Sequence, residues 1–183
     1  MTAVAIDGLQ LVLRAAAFAA ERHSQQRRKG IESTPYINHP LAVARVLCEE
    51  GGIVDPELIA AALLHDTVED TPTSMAELKR AFGERVAGLV VEVTDDKGLD
   101  KLDRKRLQVE HAAHISRDAQ QIKLADKICN LRDILASPPV DWPTARKMEY
   151  FDWAKAVVDR LRDANPALAR RFDAEYARKQ SVA

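Results

Sequence analysis

Apolar residues recur along most of the chain at the three- and four-residue spacing of amphipathic helices. The first stripe comprises Leu9, Val12, Leu13, Ala16, Ala17 and Ala20. The same spacing predicts helices over 41–50, 56–70, 75–82, 84–93, 105–115, 118–137 and 143–162, with another after Pro166. Loops rich in Gly, Pro and Ser separate them, so the pattern predicts a mostly helical protein.

The predicted helix over 56–70 is apolar almost all round before it turns polar, which is typical of a central buried helix. Its last turn and a half carries four ionisable residues: His65, Asp66, Glu69 and Asp70. A continuous helix would place His65 over Glu69 and Asp66 over Asp70. Because acids at a helix C-terminus oppose the macrodipole, they favour a nearby cation, which a metal ion would supply. The alternative is a polar helix end that reaches water.

Two further residues could complete a metal site. His39 stands just before Pro40 at the predicted start of a helix, where its imidazole could point inward. Asp126 interrupts an apolar helical pattern, and Asn130 and Asp133 continue its face.

Lys127 and Arg132, on the same predicted helix, are expected to face water, which favours an inward position for Asp126. Considered alone, His39 fits better as an ordinary capping or core histidine. The alternative for the Asp126 stripe is a solvated face, although the inward site is favoured.

The set His39, His65, Asp66 and Asp126 offers two imidazoles and two carboxylates, which suit Mn²⁺, Fe²⁺ or Zn²⁺ better than Mg²⁺. A metal ion lowers the pKa of a water molecule that it binds, and Glu69 or Asp70 could take the proton.

Basic residues are concentrated in two segments near these positions. Residues 27–29 precede His39, and Lys97, Lys101, Arg104, Lys105 and Arg106 follow an acidic pair. Clustered Lys and Arg side chains can neutralise phosphate oxygens, although solvated loops have the same composition. No glycine-rich phosphate-binding motif is present, so phosphate binding would rest on side chains and a metal.

The length, net charge and hydropathy of the chain limit the number of domains, the partners and the cellular location that we expect. With 183 residues and a formal net charge of −1, the chain is expected to be one domain that recruits neither nucleic acid nor membrane. No apolar segment is long enough to span a bilayer and no signal peptide precedes residue 10, so we expect a cytoplasmic protein. Cys48 and Cys129 are expected to be buried thiols, and His23, His111 and His114 surface or interhelical residues.

The order of His39, His65-Asp66 and Asp126 resembles that of the HD-domain metal-dependent phosphohydrolases. The surrounding segments narrow the resemblance: QRRK at 26–29, TPYINHP at 34–40, AALLHDTVEDT at 61–71, EVTDDK at 92–97 and KLADKICNLRD at 123–133. Over residues 9–165 the chain is similar to the hydrolase domain of the RelA/SpoT family, and especially to its stand-alone small alarmone hydrolases.

The resemblance implies an all-α HD-domain helical bundle that forms a single domain over 1–183, with its core at about 9–165. It implies one Mn²⁺ ion and removal of the 3′-pyrophosphate from guanosine tetra- or pentaphosphate, giving GDP or GTP. No part of the chain corresponds to a synthetase domain, so only degradation is expected. The sequence is also compatible with a homo-oligomer.

The resemblance also assigns roles to residues. The metal ligands would be His39, His65, Asp66 and Asp126; the catalytic acids Glu69 and Asp70; and the substrate-binding residues Arg28, Lys29, Lys97, Asn130 and Tyr150.

Two other functions remain open at this point. One is a metal-dependent phosphatase for another nucleotide, such as NADPH, and the other is a catalytically silent HD domain that binds a nucleotide and signals through a partner. The silent domain is disfavoured, because it would have no need for both the ligand set and the acids beside it. A helical scaffold without enzymatic activity is less favoured still.

Overall fold

The computed structural model describes residues 8–182, which form helices joined by turns. The α-helices are α1 (Gly8–Arg22), α2 (Asn38–Arg45), α3 (Pro56–Leu64), α4 (Thr67–Asp70), α5 (Met75–Phe82), α6 (Glu84–Val93), α7 (Lys101–His111), α8 (Arg117–Ala136), α9 (Thr144–Val158) and α10 (Pro166–Tyr176). A π-helical turn, Val46–Glu50, extends α2, and short 3₁₀ turns cover Arg162–Ala164 and Lys179–Val182. No strand occurs within 8–182, where two isolated β-bridges join loops. The all-α prediction is therefore confirmed.

Helix α3 lies at the centre of the bundle and packs against α1, α2 and α6. It begins at an Asp-Pro pair, because the Asp55 carboxylate accepts the Glu57 N–H at 3.0 Å and Pro56 needs no N–H partner in the first turn. Three consecutive alanines, residues 60–62, are fully buried, and their small side chains allow neighbouring helices to approach closely. The predicted central buried helix is thus confirmed.

Helix α8 is the second buried element and contacts α2, α6, α9 and α10. The Ser116 hydroxyl accepts the N–H of Ala119 at 3.2 Å and caps its first turn. Because α3 and α8 are held by the same neighbours, polar residues on the two helices can meet inside the bundle.

The continuous helix predicted over 56–70 is wrong: α3 ends at Leu64 and α4 begins at Thr67. The His65 ring nitrogen Nδ1 bonds to the Ala62 carbonyl at 2.7 Å, and the Thr67 hydroxyl donates to the Leu64 carbonyl at 2.6 Å. Side chains thus take over carbonyl groups that the next helical turn would have used, which ends the helix.

Other predicted boundaries also differ from the structure. The helix predicted over 143–162 corresponds to α9, which ends earlier, at Val158. The second helix starts at Asn38, so Pro40 lies within its first turn, where a missing N–H costs nothing. The helix predicted over 105–115 runs instead from Lys101 to His111, because the Asp100 carboxylate caps it by accepting the N–H of Leu102 at 2.7 Å.

The two cysteines occupy different environments. Cys129 on α8 is buried, as predicted, and burial raises the pKa of its thiol to about 12. Cys48, on the π-helical turn, is exposed, so its predicted burial is wrong. No helix within the described residues is long and apolar enough to cross a membrane.

The fully buried Leu58 should dominate the stability contributed by α3. Leu58 is 2 % exposed, so Leu58→Ala should lower the free energy of unfolding by about 2–5 kcal/mol through lost burial and a residual cavity. Urea unfolding followed by circular dichroism measures this. Val54→Ala is the matched control, because Val54 is 90 % exposed and its loss should change stability by less than about 0.5 kcal/mol. Equal losses would contradict the assignment of α3 as the core.

Candidate metal centre and active-site cleft

Four side chains predicted as metal ligands converge between α2, α3 and α8. His39 comes from the first turn of α2, His65 and Asp66 from the break after α3, and Asp126 from the middle of α8. His39 Nε2 lies 3.1 Å from Asp126 Oδ1 and 3.8 Å from Asp66 Oδ2. His65 Nε2 lies 3.1 Å from Asp66 Oδ2 and 3.9 Å from Asp126 Oδ1. Two imidazole nitrogens and two carboxylate oxygens therefore face one another.

The chemistry of this donor set fits a divalent metal ion. His65 Nδ1 is occupied by the Ala62 carbonyl, so one ring hydrogen points there and Nε2 is the nitrogen that faces the other three groups. That Nε2 is buried and has no hydrogen-bond partner within residues 8–182. A metal ion at the centre would displace any proton from Nε2, bind its lone pair and neutralise both carboxylates.

The charges of the site show the same need for a cation. Burial opposes the ionised form of Asp126, but Lys127 and His39 hold the pKa of its carboxyl well below the usual range. Burial also opposes the charged imidazole of His65, yet the carboxylates of Asp66 and Asp126 raise the pKa of His65 to about 9. The two carboxylates therefore stay ionised and attract positive charge.

Further side chains orient the two carboxylates. The Tyr36 hydroxyl donates to Asp66 Oδ2 at 2.6 Å, and the Asn130 amide donates to Asp126 Oδ1 at 2.7 Å. Lys127 Nζ donates to Asp126 Oδ2 at 3.0 Å and lies 4.5 Å from the centre of a Trp153 ring. Each carboxylate thus has a fixed direction.

The expectation that Lys127 and Arg132 face water is wrong. Lys127 is 4 % exposed, since its charge is matched by Asp126, and Arg132 is paired with Glu50 and Glu175. The inward position of Asp126 nevertheless holds, because α8 is buried on several sides.

The two predicted catalytic acids occupy different places. Glu69 lines a cavity of about 150 Å³ together with the four metal-site residues. Its carboxylate accepts the N–H of Asp95 at 3.3 Å, and burial together with the Asp95 charge raises the pKa of Glu69 to about 7. Asp70 lies outside this cavity, bonded to Gln26 and ion-paired with Lys97. Only Glu69 therefore faces the metal site directly.

Four of the five predicted substrate-binding residues line a larger cavity of about 600 Å³ beside the metal site. Arg28, Tyr36 and Asn130 border both cavities, so the two spaces adjoin. Lys29 and Tyr150 line the larger one. Arg28 donates to Asn130 at 3.1 Å and pairs with Asp133. Lys97, the fifth, does not line this cavity but is ion-paired with Asp70, which does.

A third cavity, of about 200 Å³, adjoins the larger one and is strongly basic. Its lining includes Lys29, Lys101, Arg104, Lys105 and Arg146, with the aromatic rings of Trp142, Tyr150 and Trp153. None of these five cations forms an ion pair with a described residue. Burial and the neighbouring cations lower the pKa of Lys101 and Lys105. This cluster is suited to an anionic ligand.

Several residues of the cleft escaped the sequence analysis. Arg146 and Tyr150 are four residues apart on α9, a spacing that places them on one helix face and that could have revealed Arg146. Lys123 is buried beside the metal cavity, and its Nζ donates to the Val93 carbonyl at 3.1 Å. Arg106, grouped with the basic cluster, instead pairs with Asp103 and Glu110 on the outer face of α7.

Comparison with known proteins agrees with this geometry. A family profile described as "HD domain" matches residues 15–150. The chain belongs to the HD-domain family. This HD-domain chain is 56% identical over 163 residues to guanosine-3′,5′-bis(diphosphate) 3′-pyrophosphohydrolase MESH1 of Xenopus tropicalis, which covers 89% of this chain and 91% of the relative. The Homo sapiens MESH1 protein is also 56% identical, over 157 residues, covering 86% of this chain and 88% of the relative.

A solved structure has the same fold. It is described as a metazoan orthologue of SpoT that hydrolyses ppGpp and plays a role in starvation responses. It superimposes on this HD-domain chain with a TM-score of 0.91 and 45% sequence identity, covering 96% of this chain and 98% of the other. The predicted resemblance to the small alarmone hydrolases is confirmed.

Tyr36 should support metal binding through Asp66. Tyr36→Phe removes the hydroxyl that fixes the Asp66 carboxylate, so Mn²⁺ affinity should fall about tenfold, as is usual for partners of metal-binding side chains. Isothermal titration of the metal-free protein with Mn²⁺ measures this. Tyr176→Phe is the control, because the Tyr176 hydroxyl bonds to the exposed Asp152, outside the site. Identical affinities in both variants would rule out this role for Tyr36.

Proposed function

We propose that this chain is a Mn²⁺-dependent pyrophosphohydrolase that removes the 3′-pyrophosphate of guanosine 3′,5′-bis(diphosphate), ppGpp, and of its pentaphosphate, giving GDP or GTP. The chain would work as one HD-type domain over 1–183, with its core at about 9–165. The observation that carries this proposal is a row of adjoining cavities, in which a site of two histidines and two carboxylates lies next to a separate cluster of cations without ion-pair partners among the described residues. Its relatives are ppGpp 3′-pyrophosphohydrolases by name.

The metal ion would be held by His39, His65, Asp66 and Asp126. Mixed nitrogen and oxygen donors favour Mn²⁺ over Mg²⁺, which prefers oxygen ligands and retains its water molecules. When bound, such an ion lowers the pKa of a water molecule and polarises phosphate oxygens.

Glu69 is placed to accept the proton of the attacking water. Its pKa of about 7 matches the requirement for a general base at neutral pH, and its carboxylate lines the same cavity as the metal-site residues. The water oxygen forms a new bond to the phosphorus next to the ribose O3′, the bond from that phosphorus to O3′ breaks, and O3′ leaves with a proton. Inorganic pyrophosphate and GDP are the products.

The remaining predicted residues would bind and orient the nucleotide. Arg28 stands where the metal cavity meets the larger one, so it can neutralise the phosphate groups beside the metal. Lys29 borders both the larger and the basic cavities, and Tyr150 offers an aromatic face there. Asn130 would contact the sugar, and the Lys97–Asp70 pair would border the opposite wall, where Asp70 would orient the bound substrate for attack.

The two ends of the cleft suit a nucleotide with two separate phosphate groups. With the 3′-pyrophosphate at the metal site, the 5′-diphosphate could reach the cations Lys101, Lys105 and Arg146. A substrate with one phosphate group would leave one end of the cleft without a partner.

Product analysis tests the proposed activity. The purified chain is loaded with Mn²⁺ and given ppGpp or NADPH, with EDTA-treated enzyme as control, and products are separated by ion-exchange chromatography. Pyrophosphate and GDP that form only with metal would support the proposal. Release of inorganic phosphate from NADPH alone would favour the phosphatase alternative, and no turnover of either would favour a silent binding domain.

Variants of Asp66 and Glu69 should separate metal binding from proton transfer. Asp66→Ala should lose both Mn²⁺ binding and activity, because it removes a ligand. Glu69→Gln should keep Mn²⁺ binding but lose about a hundredfold or more of kcat, because the amide cannot accept the proton. Mn²⁺ titration and steady-state kinetics measure the two properties.

The matched control is Glu110→Gln, since Glu110 is exposed and pairs only with Arg106 on the outer face of α7. It should retain both properties. Equal loss of metal in the Asp66 and Glu69 variants would overturn the separate roles.

A further inference from the structure

A buried histidine outside the metal site, His23, is linked through Gln26 to the candidate catalytic residue Asp70. It follows the end of α1 and is 1 % exposed. Its ring lies 4.8 Å from the Tyr36 ring at an interplanar angle of 31°. Its Nδ1 lies 2.6 Å from Gln26 Oε1, while its Nε2 is buried with no hydrogen-bond partner within residues 8–182.

The charge of the Asp70 carboxylate determines which end of the Gln26 amide faces His23. Gln26 Nε2 lies 3.0 Å from Asp70 Oδ2, and an ionised carboxylate can only accept hydrogen bonds. The amide NH₂ of Gln26 must therefore face Asp70, which turns its carbonyl oxygen toward His23. That oxygen needs a donor, so His23 must carry its hydrogen on Nδ1.

The unpartnered Nε2 agrees with this tautomer. A neutral imidazole has one N–H, and placing it on Nε2 would break the bond to Gln26 and bury an unsatisfied donor. With the hydrogen on Nδ1, a lone pair alone remains unpaired at Nε2.

We propose that His23 is a positioning residue, which fixes the Gln26 amide through its Nδ1–H so that Gln26 holds Asp70 against the substrate cleft. Lys97 binds the other oxygen of Asp70, Oδ1, so the carboxylate is held from two sides. Without the His23 donor, the Gln26 amide could turn its oxygen toward Asp70. Two acceptors would then face each other, and Asp70 would move away from Gln26.

The same histidine also supports the metal site from behind. Tyr36, whose hydroxyl orients Asp66, packs its ring against the His23 ring. If His23 only filled space, it would act through this ring contact. An aromatic side chain in its place would then preserve activity. The proposed role instead requires the Nδ1 donor, which allows the two roles to be separated.

Nitrogen-15 NMR of the full-length, metal-free protein tests the tautomer without any assay of activity. The His23 ring should show the hydrogen on Nδ1, and Gln26→Met should shift the tautomer ratio because it removes the acceptor. A hydrogen on Nε2, or a tautomer ratio that does not respond to Gln26→Met, would overturn the proposal.

A double-mutant cycle on the Mn²⁺-loaded enzyme tests the consequence for Asp70, and this part rests on the proposed function. His23→Phe keeps the ring but removes the donor, and Gln26→Met removes the amide. Each should lower kcat about tenfold, because each weakens or removes the hydrogen bond from Gln26 to the charged Asp70, and change KM less than about twofold. The double variant should be no slower than Gln26→Met, because His23 acts through Gln26.

Two further variants separate the donor from the ring. His23→Asn places an N–H near the position of Nδ1 and should recover most of kcat. His114→Phe, at an exposed position, controls for replacement of a histidine and should behave as the unmodified chain. Additive losses of about a hundredfold, or recovery by Phe instead of Asn, would overturn the positioning role.

The kinetic and NMR measurements distinguish failure of the proposed function from failure of the proposed role of His23. Failure of the unmodified chain to hydrolyse ppGpp would reject the proposed function, whereas the NMR tautomer would still decide the role of His23. If His23→Phe does not fold, Gln26→Met alone tests the link, since its kcat and its effect on the tautomer are measured with His23 intact.

Discussion

Two ionised carboxylates share one partly buried site, and most of the surrounding structure compensates their charge. Asp66 and Asp126 each lie within 4 Å of the same two imidazole nitrogens. As a general guide, two like charges 4 Å apart repel by about 4 kcal/mol at the effective dielectric constant of a protein surface, and by more when buried. The arrangement is therefore stable only with positive charge and hydrogen-bond donors around it. Lys127, Tyr36 and Asn130 supply part of this compensation from outside. On the sides where the two carboxylates face each other, their charge is compensated by the imidazoles and would be compensated further by a cation.

The break between α3 and α4 gives the neighbouring acids different environments. In one continuous helix, Glu69 would lie one turn after His65 and Asp70 one turn after Asp66. The two acids would then have equivalent positions relative to the metal site. The carbonyl groups taken by His65 and Thr67 end α3 at Leu64, and the helical chain resumes only at Thr67. Glu69 is enclosed with the metal site and has a raised pKa, whereas Asp70 is ion-paired with Lys97 outside that cavity. A local hydrogen-bond exchange thus accompanies a clear difference between the surroundings of the two acids.

The sequence predicted those parts of the molecule that depend on local pattern. Ionisable residues at the end of an apolar helix, and Asp126 within another, indicated an inward polar site because burial of such groups requires partners. Helix positions followed from periodicity, but their ends depended on side-chain caps such as Asp100 and on the break at His65. Each of these helix ends depends on individual side-chain hydrogen bonds, which the periodicity of the sequence does not reveal.

Contacts between residues that lie far apart in the sequence could not be predicted from local patterns. Lys127 was expected in water because a lysine alone is costly to bury, and only its contact with Asp126 and Trp153 explains its position. The approach of Arg146 to Lys29 and Lys101 requires α9 to be packed against the first loop and α7. The burial of His23 likewise depends on Tyr36 lying over it, thirteen residues later in the chain.

The opposite charges at the two ends of the cleft link metal binding to substrate binding. The cations Lys101, Lys105 and Arg146 attract phosphate at one end, but Asp66, Asp126 and Glu69 would repel it at the other. A phosphate group at the acidic end meets these carboxylates together with Arg28, Lys123 and Lys127, so a metal ion bound there would favour its approach. Because such coupling is reciprocal, a bound substrate would in turn raise the affinity for the metal. The fixed carboxylates would therefore make the ion part of substrate recognition as well as of the chemistry.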